Sequence, residues 1–257
     1  TTTTDATGTY GFMDLPPGTY SITVSKSGYE SRTYPYQTLA AGQVLRRDCD
    51  LGYAICMSPT NAKAEEDDSK IELIAPIVSA IFPGYFYVEA RDRSSGLRVE
   101  KADHGLAPGM GVDVAGLMKT NSDGERYIEA DAVMPDGSGS IDPLELINRS
   151  LGGGDHPGQQ GALGASGLNN IGLLISTTGK VTYAETGFFC VDDGSALDDG
   201  SGYIGIKVLG TVPPPDPLPE GWNPIGHQVI VTGISSCFKD GTDLFRQIRA
   251  TEVRLVN

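Results

Sequence analysis

The 257-residue sequence contains no GxSxG, no HExxH, no P-loop and no Rossmann glycine pattern, and none of its cysteines lies close in sequence to a histidine. The short signatures of esterase, metalloprotease, phosphate-cradling and dinucleotide chemistry are therefore missing, and a non-enzyme is expected. Any block of Lys and Arg is missing too: 33 acidic residues against 19 basic ones leave a formal charge of −14. Nucleic acids and anionic membranes draw affinity from clustered cations that displace counterions, so neither is expected as the main partner. The most apolar stretch, IELIAPIVSAIFPGYFYV, is broken by Glu72, Pro76 and Pro83 and is rich in β-branched residues. It predicts two core strands and no membrane-spanning helix. With no CxxC and only His104, His156 and His227, widely spaced, a zinc site is not expected.

What the sequence does have is turn chemistry. Its 34 glycines and 16 prolines separate short segments that alternate apolar and polar residues, such as YGFMDL, TYSITVS and QVLRRDCDL. That pattern predicts an all-β chain of short strands. MSPTNAKAEEDDSK, with almost no apolar content, reads as a linker.

Beyond it the sequence repeats once. PGYFYVEARDRSSGLRVE (83–100) matches TGFFCVDDGSALDDGSGYIGIKVLG (186–210), and PGMGVDVAGLMKTNSDGERYIEADAV (108–133) matches IGHQVIVTGISSCFKDGTDLFRQIRATEV (225–253). With KIELIAPIVSAI and IGLLISTTGKVTYAE leading, each copy has five strands. Between the copies lies a glycine-rich spacer that holds one candidate helical turn, DPLELINRSL, with Asp142 as N-cap and Pro143 at the first helical position.

Five strands in this order, the first one long, make a Greek-key barrel, and both copies resemble OB-fold domains of large secreted bacterial proteins. They depart from that family in having no room for a helix between strands three and four: KADHGLAPGMG is too short and TVPPPDPLPEGWNPIG too rich in proline. At the start of the chain, DATGTYGFMDLPPGTYSITVSKSGY carries Asp5, Gly8, Tyr10, Phe12, Leu15, Pro16, Pro17, Gly18, Tyr20, Val24, Gly28 and Tyr29 in a spacing that resembles the regulatory-like domain appended to carboxypeptidases. The resemblance implies a transthyretin-like β-sandwich, a non-catalytic folding or docking module. It also implies that about two strands of that sandwich precede the motif and are absent here.

The domain expectation is an incomplete sandwich over 1–56, a linker over 57–69, an OB-like barrel over 70–134, a glycine-rich spacer over 135–169 and a second barrel over 170–257. Four sets of candidate residues follow. Tyr85 and Tyr87 share one face of a strand, with Arg91, Arg93 and Arg98 after them, the aromatic and cationic mixture that single strands and glycans exploit; Glu89, Asp92 and Glu100 nearby offer ordinary ion pairing instead. Asp192, Asp193, Asp198 and Asp199 could supply hard oxygen ligands for calcium, but they lack EF-hand spacing, and solvated turn residues are the favoured reading. No other cofactor is expected.

Two disulfides of an exported protein are expected, with Cys49–Cys56 and Cys190–Cys237 one of the three connectivities that four cysteines allow; free thiols are the alternative. Alternation turns Phe189 and Val191 inward and Cys190 outward. Asn148 heads an Asn-Arg-Ser sequon in a surface spacer. Together these features suggest an extracellular or cell-surface structural protein, a subunit of a filament or similar assembly. Its open first module is then completed by trimmed residues or by a strand from a neighbouring subunit. A segment that binds glycan or single-stranded nucleic acid within a larger secreted protein is the alternative.

Overall fold

The computed structural model describes residues 1–26, 29, 31–47, 49, 51–52 and 54–256. They divide into two compact units, Thr1–Ala54 and Ile55–Asn257.

The first unit contains one antiparallel pair among its described residues, β1 (Gly18–Val24) and β2 (Arg32–Leu39), with its register running from Gly18 against Leu39 to Val24 against Arg32. β1 alternates half-buried and exposed residues, as a strand with one partly covered face should. Among the described residues of 1–52 none is fully buried.

The second unit holds two closed five-stranded barrels. β3 (Ala54–Cys56) leads into a short helix, α1 (Pro59–Ala64), capped by Ser58, whose Oγ accepts from the Asn61 N–H. This corrects the linker expectation: Pro59, Ala62 and Lys63 of α1 are buried. The first barrel comprises β4 (Lys70–Leu73), β5 (Ile77–Phe82), β6 (Tyr85–Glu89), β7 (Gly96–Glu100), β8 (Met110–Thr120) and β9 (Arg126–Ser138). The expected long first strand is divided into β4 and β5 at Ala75, which takes a positive φ of 50° and whose N–H donates to Asp113 Oδ1 at 2.8 Å. β7 and β9 run parallel, and β8 pairs with both β9 and the first strand, closing the barrel.

After β10 (Leu144–Glu145), the second barrel repeats the plan with β11 (Leu174–Glu185), β12 (Phe188–Asp192), β13 (Ile206–Leu209), β14 (Gln228–Asp240) and β15 (Asp243–Leu255). β13 is again parallel to β15, and β14 pairs with β11 and β15. As the proline-rich and short connections predict, no helix joins the third and fourth strands of either barrel among the described residues.

The two barrels correspond residue by residue. Arg98 faces Tyr127 and Lys207 faces Gln247 in the parallel pairs; Tyr87 faces Arg98, and Cys190 faces Lys207. Both first strands bulge at the same place, after Val78 and after Val181. Both fourth strands bulge at a glycine, Gly116 or Gly233, where a Cβ would stand 2.2 Å from the Glu129 carbonyl oxygen or 2.3 Å from that of Arg249. No side chain fits there.

The expected helical turn at 142–151 does not form. Leu144 and Glu145 pair instead in parallel with Ile175 and Ser176, which lets Leu144 and Leu146 pack on the second barrel's core; only Asn148–Ser150 turn, as a single 3-10 turn. Burial of two leucines outweighs local helix preference. Parts of the remaining spacer are packed as well. Leu151 joins the second core, and Gln159, Asn169 and Asn170 are buried amides. Asn170 Oδ1 accepts from Gly152 N and Ser235 Oγ, while Gln159 accepts from Arg126 N and donates to the Gly124 carbonyl. These side chains satisfy backbone groups that a strand ladder does not reach.

Candidate functional site

The aromatic residues picked out in the first barrel do gather on one outer face. The Tyr85 ring stacks on Phe82 with centroids 5.2 Å apart and meets Tyr87 edge-on at 6.0 Å, and the Arg98 guanidinium lies 3.8 Å above the Tyr85 centroid. Arg91 and Arg93 do not join them: they sit in the turn that links β6 to β7, where Arg91 reaches the Ser138 carbonyl and Arg93 adopts a φ of 61°.

This face is not open to a ligand. Tyr87 is completely buried, clustered with Ala80 of its own barrel and with Leu174 and Ile234 of the second. Its hydroxyl donates to Glu125 Oε1 at 2.9 Å; Glu125, 1% exposed, also accepts from Ser236 Oγ across the interface and lies 3.9 Å from Arg98. Arg249, from β15, reaches over to Asp123 at 3.1 Å and to the Tyr85 hydroxyl at 3.5 Å. Burial pushes the Glu125 carboxyl above the usual range against the pull of Arg249 and Arg98. The candidate ligand face is therefore the contact surface between the barrels.

Two further buried ionisable groups stitch the same contact, and neither was picked out as a site residue from the sequence. Lys63 of α1 is 1% exposed, donates to the Ile171 carbonyl at 2.6 Å and is pushed down to about 8 by burial. Glu89, at the end of β6, accepts from the Leu174 N–H at 2.5 Å, and burial pushes it up to about 7. Gly96 and Gly172 approach closely in the same contact: a Cβ on Gly96 would lie 2.1 Å from the Gly172 carbonyl oxygen, and Gly172 has a φ of 96°. A charged residue in an alternating strand reads as solvent-facing, and only the arrival of the other barrel makes it buried.

The acidic turn of the second barrel does not form a calcium loop. Asp192 accepts from Ala196 N, Asp193 from Ser195 N and Asn148 N, Asp198 from Gly200 N, and Asp199 from Ser201 N and Arg246. The carboxylates are engaged by separate turns and one ion pair, and among the described residues no three metal-ligating side chains converge. The second barrel has its own aromatic patch. Tyr203 packs on Tyr183 and Phe188 at 5.0 and 5.6 Å, and Lys207 Nζ lies 4.6 Å from the Phe188 centroid.

The disulfide expectation is corrected: Cys49, Cys56, Cys190 and Cys237 are free thiols. In the closed barrel β11 stands between β12, which carries Cys190, and β14, which carries Cys237, so the two cysteines are at least two strand spacings apart. With strands about 4.8 Å apart, that separation exceeds any bridgeable distance. Cys190 lies between Phe189 and Val191, which belong to the core, and alternation sets it on the other side of the strand; it is nevertheless fully buried. Burial pushes the Cys56 and Cys190 thiols up to about 11 and raises Cys237 well above its ordinary value. The sequon is corrected too. Asn148 is wholly buried and its Nδ2 donates to the Val191 carbonyl at 2.8 Å, so the folded chain offers no acceptor nitrogen for a glycan.

No helix is long and apolar enough to cross a membrane among the described residues. In the first unit apolar side chains stand in solvent: Met13 and Tyr36 are 85% exposed and Val44 93%, with Phe12 and Leu15 also exposed. No curated protein matches the chain. The family comparison is confined to that same unit, where residues 1–52 match the model of the carboxypeptidase regulatory-like domain.

Proposed function

We propose that the chain is a non-catalytic structural protein of an extracellular or cell-surface assembly, and that a strand from a neighbouring subunit completes its first module. One observation carries this reading. Residues 1–52 match a folded-domain family yet bury none of their described residues fully, and the two-stranded sheet leaves apolar side chains in water. Two strands alone are marginal, so such a module gains stability only from further strands that supply both backbone partners and a covering face. The tightly packed barrels act as the rigid body of the subunit.

The competing reading, a segment whose barrels grip glycan or single-stranded nucleic acid, loses support because the aromatic face of the first barrel is occupied by the second. Electron microscopy of the native material, paired with hydrogen exchange on β1 and β2, tests the proposal. Ordered assemblies are expected, with the amides of β1 and β2 protected only in the assembled state. A monodisperse monomer with those amides protected at every concentration sinks it.

A further inference from the structure

The contact between the barrels has a direction. The β6–β7 face of the first barrel is covered by the β14–β15 face of the second, and the matched registers identify the same two faces on the opposite barrel. Tyr85 and Arg98 of the covered face correspond to Phe188 and Lys207. Ile234 and Arg249 of the covering face correspond to Leu117 and Glu129, since each pair stands opposite one another across the fourth and fifth strands, one residue past the bulge glycine. The inter-barrel contact uses one of these faces on each barrel, and the corresponding face of the other barrel takes no part in it.

These two remaining faces are chemically complementary. On the second barrel Lys207 lies over Phe188, which packs against Tyr183 and Tyr203, and the neighbouring Ile204 is exposed. On the first barrel Glu129 is 61% exposed, lies 4.0 Å from Lys119 Nζ and stands opposite the half-buried Leu117. The second-barrel face presents Lys207 beside aromatic rings, and the first-barrel face presents two carboxylates, Asp68 and Glu129, around Lys119. We propose that these faces bind one another between copies of this chain, with Lys207 of one copy meeting Glu129 of the next.

Such a contact joins unlike surfaces, so it builds a ring where the rotation closes and otherwise propagates from copy to copy as a filament. It rests on the assembly reading but uses surfaces remote in sequence from the first module. Tyr203 already packs on Tyr183 and Phe188, so the incoming copy meets a preformed aromatic cluster with a cation beside it, and the association is salt-sensitive.

Sedimentation velocity of the full chain over a concentration series tests this. Lys207→Glu and Glu129→Lys are each expected to weaken self-association by about tenfold. Mixing the two variants in equal amounts is expected to restore it, because the opposed charges then meet again with their signs exchanged. A chain that is monomeric throughout, or one whose self-association ignores both reversals, overturns the proposal. Ile22→Pro, which breaks pairing in β1, separates the two readings. If assembly runs only through the first module, Ile22→Pro abolishes it and the charge reversals do not.

Discussion

Arg246 and Asp199 meet at 3.2 Å with side chains only 2% and 4% exposed, in the second barrel, where the Arg246 Nε also donates to the Leu151 carbonyl. The matching position of the first barrel holds Arg126, paired with Asp67 and bonded to the Glu65 carbonyl. A buried charge stripped of its partner is costly because nothing replaces its lost hydration. Asp199→Ala is therefore expected to lower the unfolding free energy by about 3 kcal/mol, whereas replacing both residues by apolar ones costs less. Urea titrations of the single and double variants check this; equal losses would contradict it.

Glu89 makes stability depend on pH. Its folded pKa, about 7, lies above the ordinary 4.5. The folded state therefore holds the proton that the unfolded state releases between those values, and stability falls as pH rises through that window, then levels off. Glu89→Gln keeps an acceptor for Leu174 N without a charge. It is expected to be more stable than the parent by roughly 3 kcal/mol at pH 8, with the gap closing towards pH 5. Thermal melts at the two pH values decide, and a gap independent of pH refutes the burial argument.

The closely approaching glycines predict a steric effect. Gly96→Ala places a methyl 2.1 Å from the Gly172 carbonyl oxygen, a backbone atom that cannot swing aside. Separating the barrels at this point strains the packing around Tyr87, so a loss of about 3 kcal/mol is expected in chemical denaturation. A denaturation midpoint unchanged from the parent would show that the barrels do not meet there.

The cysteines give a simple labelling prediction. Buried thiols with pKa values near 11 are neither accessible nor ionised at pH 8. Native protein is expected to be alkylated at Cys49 and spared at Cys56, Cys190 and Cys237 until denaturant is added, and intact mass is expected to be the same with and without reductant. A mass gain on reduction would restore the bridges.

Much of the architecture was readable from local pattern. Alternation located the strands, and the internal repeat located both barrels, down to the matching of Tyr85 with Phe188 and Tyr87 with Cys190. What local pattern could not convey was the contact made by a distant segment. Tyr85, Tyr87 and Arg98 look like a ligand face on an isolated barrel, and only the three-dimensional placement of Leu174, Ile234 and Arg249 turns them inward. Asn148 and the spacer misled for a similar reason: polar, glycine-rich chain reads as solvated, whereas here buried amides satisfy its backbone. The matched arginines were readable in retrospect, since Arg126 and Arg246 align in the repeat.

The partners of the inter-barrel contact are far apart along the chain, with Tyr85 and Arg249 separated by 164 residues and Lys63 and Ile171 by 108. During synthesis the first barrel can close its own strands early, but its tyrosine face stays bare until β15 has left the ribosome. Contacts this distant in sequence form slowly, and an aromatic face left waiting is an aggregation hazard. The finished contact hides that hazard; the growing chain must pass through it, and a chaperone that shelters Tyr85 and Tyr87 would matter most in that interval.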